Sequence, residues 1–419
     1  MNKVPKFRFP EFRGEWNHKK SNEIIERVTR KNKGNISNLP LTISAQYGLI
    51  DQEKFFNKTV ASKNLESYYL LENGEFAYNK SYSNGYPWGA IKRLDKYNMG
   101  VLSSLYICFK EKKGINSDYL THYFETTKWY KEISMVAVEG ARNHGLLNIS
   151  VSDFFDTLHY IPCYEEQQKI AKFFSLIDKK IEKQQEKVEA LKDYKKGTMQ
   201  KIFSQEIRFK GDNGEEYPEW EEKRLGDIAE VITDYVAAGS FESIRNNVTY
   251  YDVPNFAQLV RTTDLKNQFN NTGFVFIDEN AFNFLYRVNL DKEVIVLPNI
   301  GANIGESYFI NPLLLPNKNN VLGPNAILLY SNINYTKYVY YLLNTRSFHI
   351  QLREMVGASG QPKFNKTELK QMKFSIPSFE EQKKICTLLT LVDQRLEKEQ
   401  EKLNYLNQWK KGLLQQMFV

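Results

Sequence analysis

Residues 161–204, IPCYEEQQKIAKFFSLIDKKIEKQQEKVEALKDYKKGTMQKIFS, return as residues 376–419, IPSFEEQKKICTLLTLVDQRLEKEQEKLNYLNQWKKGLLQQMFV. At an offset of 215, 20 of the 44 positions are identical without a gap, which marks a duplicated chain. Each copy opens on Ile-Pro, where the proline ends the preceding strand, and then runs about 35 residues with no further proline, so each predicts one long helix. In the first copy Ile170, Phe173, Phe174, Ile177, Ile181, Val188 and Leu191 fall on one narrow apolar stripe; in the second Ile385, Leu388, Leu389, Val392, Leu396, Leu403 and Leu406 repeat it. The residues between them are Lys, Glu and Gln. A stripe this narrow on a helix this long asks for a partner helix, and each copy has one in the other.

The duplication extends outward from the helices. WNHKKSNEI (16–24) lies over WEEKRLGDI (220–228) at an offset of 204, and each tryptophan is preceded by Phe-Arg-Phe (7–9) or Ile-Arg-Phe (207–209). The chain therefore reads as domain 1–160, helix 161–204, domain 205–375, helix 376–419. Within the domains, LSSLYICF (102–109) and EVIVL (293–297) predict strands, and DYLTHYFETTKWYK (118–131) and YTKYVYYLLNTR (335–346) predict helices at matching places. Both units then pass through Gly-Ala (140–141 and 357–358) into a loop and a last strand. The fold class is α+β, two similar domains with two long helices pairing as an antiparallel coiled coil.

With 419 residues the chain exceeds one ordinary core, and 26 Tyr and 27 Phe exclude a disordered protein. No window of 18 apolar residues occurs and the start is rich in charge and proline, so neither a membrane span nor a signal peptide is expected. Three scattered cysteines, Cys108, Cys163 and Cys386, suit a reducing cytoplasm. The net charge of +7 is uneven, at +6 for residues 1–160, +3 for the first helix, −3 for residues 205–375 and +1 for the second helix, a weak pointer to a polyanion.

No catalytic constellation is repeated in both halves. The five histidines (His18, His122, His144, His159, His349) have no metal spacing. Asn311-Pro312-Leu313-Leu314 lacks the second proline and the aromatic with which amino-methyltransferases hold a flipped base. Gly301-Ala302-Asn303-Ile304-Gly305 reads as a hairpin turn rather than a phosphate cradle. The chemistry present is that of a binder. Residues 78–93, YNKSYSNGYPWGAIKR, interleave amides, hydroxyls, cations and aromatics, making Tyr78, Asn79, Lys80, Tyr82, Asn84, Trp88, Lys92 and Arg93 candidates for reading base edges and holding phosphates. The matching place in the second unit holds Asn299 and Asn303. Just past the Gly-Ala pairs lie Arg142, Asn143 and His144 in one unit and Ser359, Gln361 and Lys363 in the other.

Two Ile-Pro-x-x-Glu-Glu-Gln-x-Lys-Ile openings, each following a globular unit and leading a long helix, resemble the specificity subunit of type I restriction-modification systems over the whole chain. The resemblance implies two target recognition domains that each read one half of a bipartite double-stranded DNA site, with the paired helices as spacer. It also implies a non-catalytic chain that recruits two methyltransferase subunits and then restriction subunits. S-adenosylmethionine, ATP and Mg2+ would then be held by those partners, and Ile170, Phe174, Ile177, Ile181, Val188, Leu191, Ile385, Leu389, Val392, Leu396, Leu403 and Leu406 would serve the coiled coil and partner docking. Two alternatives stay open on residues alone: a coiled-coil adaptor with no DNA role, which leaves the two domains without a purpose, and a stand-alone DNA-modifying enzyme, which needs a cofactor loop or metal carboxylates not found in the sequence.

Overall fold

The computed structural model describes residues 3–45, 47–58, 60–62, 64–82, 85–137, 147–301, 303–357 and 362–419. The central helix runs unbroken over Tyr164–Phe203 and the distal helix over Phe379–Met417, each about 60 Å long at 1.5 Å per residue. The chain forms two compact units, Met1–Lys187 with Glu399–Val419, and Val188–Lys398. Each unit thus takes one globular region, the first part of the helix that follows it, and the last part of the other helix. In the first unit the helix segments run antiparallel, joined by Asp178 to Lys410 at 2.7 Å and by Lys187 to Glu399 at 2.6 Å. In the second, Lys195 meets Asp393 at 2.6 Å, and Met199 and Ile202 share a core with Ile385 and Leu389.

The apolar stripe does more than join helices. Ile170, Phe174 and Ile177 are buried in the core of the first globular region, among Trp16, Tyr119, Tyr123 and Trp129, while Ile385 and Leu389 do the same in the second. Val188, Val392, Leu403 and Leu406 are also buried, and Ile181, Leu191 and Leu396 are half-buried. Each core is closed by an aromatic from the end of the other copy's helix. Phe418 lies 5.4 Å from Tyr119 and 6.4 Å from Trp16; Phe203, its repeat equivalent, lies 5.6 Å from Tyr338 and 6.4 Å from Trp220.

The repeated Glu-Glu-Gln gains a structural meaning. Glu165 and Glu380 are exposed in the first helical turn, where a negative charge suits the helix dipole. Glu166 and Glu381 are buried, and each is met by the arginine of the Phe-Arg-Phe or Ile-Arg-Phe start. Arg8 donates to Glu166 at 2.8 and 2.7 Å; Arg208 donates to Glu381 at 2.9 Å, with Trp220 Nε1 adding a bond at 3.2 Å. Gln167 and Gln382 each donate to their own proline's carbonyl, Pro162 and Pro377, at 3.0 Å. Each also accepts the backbone N–H that starts a short helix, from Asn116 at 2.8 Å and from Tyr335 at 3.0 Å.

Both globular regions carry a four-stranded antiparallel sheet. In the first, the order is Ile25–Arg27, Ile107–Glu111, Phe76–Asn79, Ala90–Arg93; in the second, Val231–Asp234, Ala326–Tyr330, Val294–Pro298, Tyr308–Ile310. The second unit adds a three-stranded sheet, Val275–Ile277, Ala257–Val260 and Asn320–Leu322, where the first has two antiparallel pairs, Leu41–Ser44 with Gly48–Asp51 and Tyr69–Glu72 with Met99–Leu102. A last strand, Leu158–Ile161 or Lys373–Ile376, pairs with the strand after the tryptophan and ends at the Ile-Pro.

Several predicted elements are split, for visible reasons. Residues 102–109 are two strands parted by a turn in which Tyr106 N–H donates to Ser103 O and the Ser103 hydroxyl accepts from Leu105 N–H. The helix expected over 118–131 stops at Tyr123 and restarts at Tyr130, and that expected over 335–346 stops at Leu342 before Arg346–Val356 begins. Equivalent threonines end the first helix of each pair: Thr126 Oγ1 donates to Tyr123 O and Thr345 Oγ1 to Leu342 O, both at 2.7 Å, in competition with the backbone.

The units differ beside the last strand. In the first, buried His159 bonds to Ser21 and Thr157 at 2.9 Å and to Tyr123 at 2.7 Å. The same repeat positions in the second hold Phe374, Leu225, Met372 and Leu342, all buried and apolar. Burial pushes the His159 imidazole down to about 3, with His18 adding a smaller repulsion.

Two predictions follow from this packing. Phe418→Ala destabilises the first unit by about 3–5 kcal/mol and Phe203→Ala, being half-buried, destabilises the second by less; hydrogen exchange should lose protection in Ser117–Tyr123 for the former and in Thr336–Leu342 for the latter. Loss in the same region for both would contradict the crossed closure. For His159, the folded value lies below the unfolded value near 6.5, so its contribution is intact above pH 6.5 and is lost as pH falls toward 3. Between pH 6.5 and 4.5 the first unit should lose about 2–3 kcal/mol more in the wild type than in His159→Gln, measured by denaturant unfolding at each pH.

Candidate nucleic-acid interface

In both units the end of a strand carrying residues proposed from sequence meets, at one end of the four-stranded sheet, the segment that follows the second proposed loop. In the first, Asn79 faces Ala90 across the hairpin, and Gly89 has φ +79, where a Cβ would stand 2.1 Å from the Asn79 carbonyl, so only glycine fits. Beyond the strand, Lys80 O accepts from Leu147 N–H at 2.9 Å and Lys80 Nζ donates to Ile149 O at 3.3 Å. In the second unit, Asn299 O accepts from Phe364 N–H at 3.1 Å, Asn299 Nδ2 donates to Phe364 O at 3.1 Å, and Gly301 N–H donates to Pro362 O at 3.1 Å. Thus the end of the third strand in sheet order meets the segment that leads to the last helix, in the same way twice.

The candidate side chains fall into distinct classes. Tyr82 is exposed at the hairpin tip and Asn79 caps it, accepting from Ser81 N–H at 3.0 Å. Lys80 and Trp88 are half-buried at the same end, and burial lowers the Lys80 ammonium. Tyr78 is fully buried, stacks on Phe154 at 5.2 Å and donates to Trp88 O at 2.7 Å; burial pushes its phenol far up, and it braces the hairpin rather than facing solvent. Arg93 lies opposite Phe76, at the far end of the hairpin, where it is bound to Asp95 at 2.7 Å, Asp118 at 2.8 Å and Ser117 at 3.1 Å. Its Nε and one terminal nitrogen are thus engaged by the fold. Lys92 is half-buried on the adjoining position, its ammonium 6.0 Å from the Tyr86 ring and lowered by burial. Asn84, Arg142, Asn143, His144, Ser359 and Gln361 lie outside the described residues.

In the second unit Lys363 is exposed and pairs through its backbone with Ile300. Asn303 accepts from Lys266, which also bonds Glu306 at 3.0 Å, and Glu306 in turn accepts from Tyr308. Desolvation would raise the Glu306 carboxyl, but Tyr308 and Lys266 hold it below its usual range. Lys366 reaches Asp234 at 2.8 Å, at the end of the edge strand beside this loop cluster. Lys266 and Lys366 were missed because nothing in their own surroundings in sequence joins them to Asn299 and Asn303; only the sheet order does. The assembled surface is rich in amides and aromatics with a few cations, chemistry able to read base edges more than to neutralise phosphate. Among the described residues no group of three His, Cys, Asp or Glu side chains is placed to hold a metal ion, and no helix is long and apolar enough to cross a membrane.

Comparison with known proteins places this architecture. The family model "Type I restriction modification DNA specificity domain" matches residues 217–408. The type I restriction enzyme MjaVIII specificity subunit of Methanocaldococcus jannaschii is 24% identical over 75% of this chain and 72% of its own length. The putative type I restriction enzyme MjaX specificity subunit of the same organism is 28% identical over 52% of this chain and 50% of its own. Among solved structures, the S subunit of a type I restriction-modification system from M. genitalium shares the fold, with a TM-score of 0.55 at 16% identity, covering 99% of both chains. With its duplicated domain and helix and its repeated Glu-Glu-Gln openings, the chain is similar to the specificity subunits of type I restriction-modification systems.

Proposed function

We propose that each unit reads one half of a bipartite double-stranded DNA site with the loops at the described sheet end, and that the two long helices set the distance between the half-sites. On this reading two methyltransferase subunits dock on the chain and restriction subunits join them, in the cytoplasm, with S-adenosylmethionine, ATP and Mg2+ held by those partners. One observation supports it above the others: two independent globular regions bring the same pair of loop segments together, Lys80 with 147–149 and Asn299–Gly301 with 362–364. A coiled-coil adaptor has no use for that repeated convergence. Amides such as Asn79 and Asn303 can pair with adenine N6 and N7, and Lys80 and Lys363 with guanine or phosphate oxygens.

The division of labour is testable with the reconstituted complex by mapping methylated positions. Lys80→Ala with Tyr82→Ala should relax or weaken recognition of one half-site, and Asn303→Ala with Lys363→Ala of the other. The loss should be about tenfold to a hundredfold for each good base contact removed. Equal loss of selectivity at both half-sites in either variant would refute independent readers. Spacing is tested by inserting one heptad into each long helix, after Ala190 and after Leu396, which keeps the stripe in phase and adds about 10 Å. Insertion in both is needed, because a single one would slip the antiparallel register. The spacer should then grow by at most about three base pairs at about 3.4 Å each, with the half-site bases unchanged; an unchanged spacer in a folded variant would overturn the ruler.

A further inference from the structure

Positions 184 and 399 are the same position of the repeated stretch, and their side chains bond to each other. Gln184 Nε2 donates to Glu399 Oε2 at 2.8 Å and to the Glu399 carbonyl at 2.9 Å, and Lys187 Nζ donates to Glu399 Oε1 at 2.6 Å. Both residues are buried, at 6% and 8% exposure, and the positions a turn away, Ile181 and Leu403, are apolar. A polar pair therefore interrupts an otherwise apolar seam. It is unlike on its two sides, although the chain is a repeat.

We infer that Gln184 and Glu399 form an asymmetric key that commits a central helix to a distal helix and rejects the pairing of like with like, central with central or distal with distal, between two copies of the chain. If two central helices met in the same antiparallel register, Gln184 would face Gln184 and both Lys187 side chains would lose their carboxylate. If two distal helices met, Glu399 would face Glu399 without the Gln184 amide that now bonds it, leaving two carboxylates side by side with only the facing Lys402 side chains to offset them. A single buried polar position sets register and partner in coiled coils at some cost in stability, and discrimination rests as much on the penalty of the wrong pair as on the merit of the right one. The stripe alone cannot discriminate, because its apolar positions repeat in both helices. This inference does not depend on what the two units bind.

The repeat itself supplies the control. Lys402 is the equivalent of Lys187 and lines the same groove as Gln184. The double exchange Gln184→Glu with Glu399→Gln therefore rebuilds the key in reverse, with the carboxylate at 184 beside Lys402. Glu399→Gln alone and Gln184→Glu alone both make the position identical in the two helices, one neutral and one acidic, and so abolish the distinction between a central and a distal helix. The full chain, carrying either of two affinity tags, is unfolded and refolded as a mixture over a range of micromolar concentrations, and co-capture of the tags is read alongside the mass by light scattering. The wild type and the double exchange should give the same low co-capture. Each single variant should give at least about tenfold more, as a two-chain species that grows with concentration. Singles that refold with wild-type co-capture at every concentration would overturn the proposal, and so would a double exchange that associates as the singles do. Should one single variant fail to refold, the other is decided by the same two outcomes.

Discussion

A carboxylate taken out of water at the start of a long helix is costly unless a cation meets it there, and Glu166 and Glu381 are each met by an arginine that arrives from the first residues of its own globular region. The pair fixes three things at once: where the long helix begins, how the N-terminal arm lies against it, and, through the adjacent glutamine, where the short helix after the sheet starts. Arg8 also donates to Gly14 O, and Arg208 to Pro218 O, so the arms are held on both sides of the guanidinium. Replacing either arginine would leave a buried charge with too few partners, a loss of about 3–5 kcal/mol. That is why the same three residues, Glu, Gln and the distant Arg, stand in both halves while most of the domain sequence between them does not.

The long helices, their pairing and the two-domain plan were legible in the sequence because the repeated residues are those with a fixed partner. Asp178 and Asp393, Lys195 and Lys410, Phe203 and Phe418 each do the same work twice. What the stripe could not tell is which neighbour each stretch of it faces. Periodicity reports an apolar side but not whether Phe174 meets a helix or the inside of a domain, and here it meets the domain. Nor could propensity place the breaks at 124–129 and 343–345, where a single threonine hydroxyl takes the carbonyl that the next helical turn would have used.

At the candidate interface the loop chemistry was legible in the residues, but the meeting of its parts was not. Tyr78 and Arg93 belong by composition with Lys80 and Tyr82, yet strand alternation turns Tyr78 into the core and the hairpin register carries Arg93 to the opposite end. Conversely Lys266 and Asn303 stand 37 residues apart, on elements whose relation only the fold defines. Strand pairing is a long-range property, and a loop's usefulness depends on which strand end it joins.

The crossed closure has a consequence for how the two units share their stability. Trp16 and Phe418 lie about 400 residues apart in sequence, but loop-closure entropy grows only with the logarithm of length, so joining them costs only about 1 kcal/mol more than joining Trp16 to Tyr119. The penalty falls on rate instead, since distant contacts form late. Until the end of the distal helix arrives, Tyr119, Tyr123 and Phe174 lack the ring that covers them, whereas the second unit already has Phe203 upstream of its own strands. The first unit is therefore the one whose core waits. It is also the one that keeps a buried polar cluster, His159 with Ser21, Thr157 and Tyr123, where the second is apolar throughout. Hydrogen bonds of that kind discriminate between one close arrangement and many loose ones better than apolar contact does, and they lie where Tyr123 is shared between the histidine and Phe418.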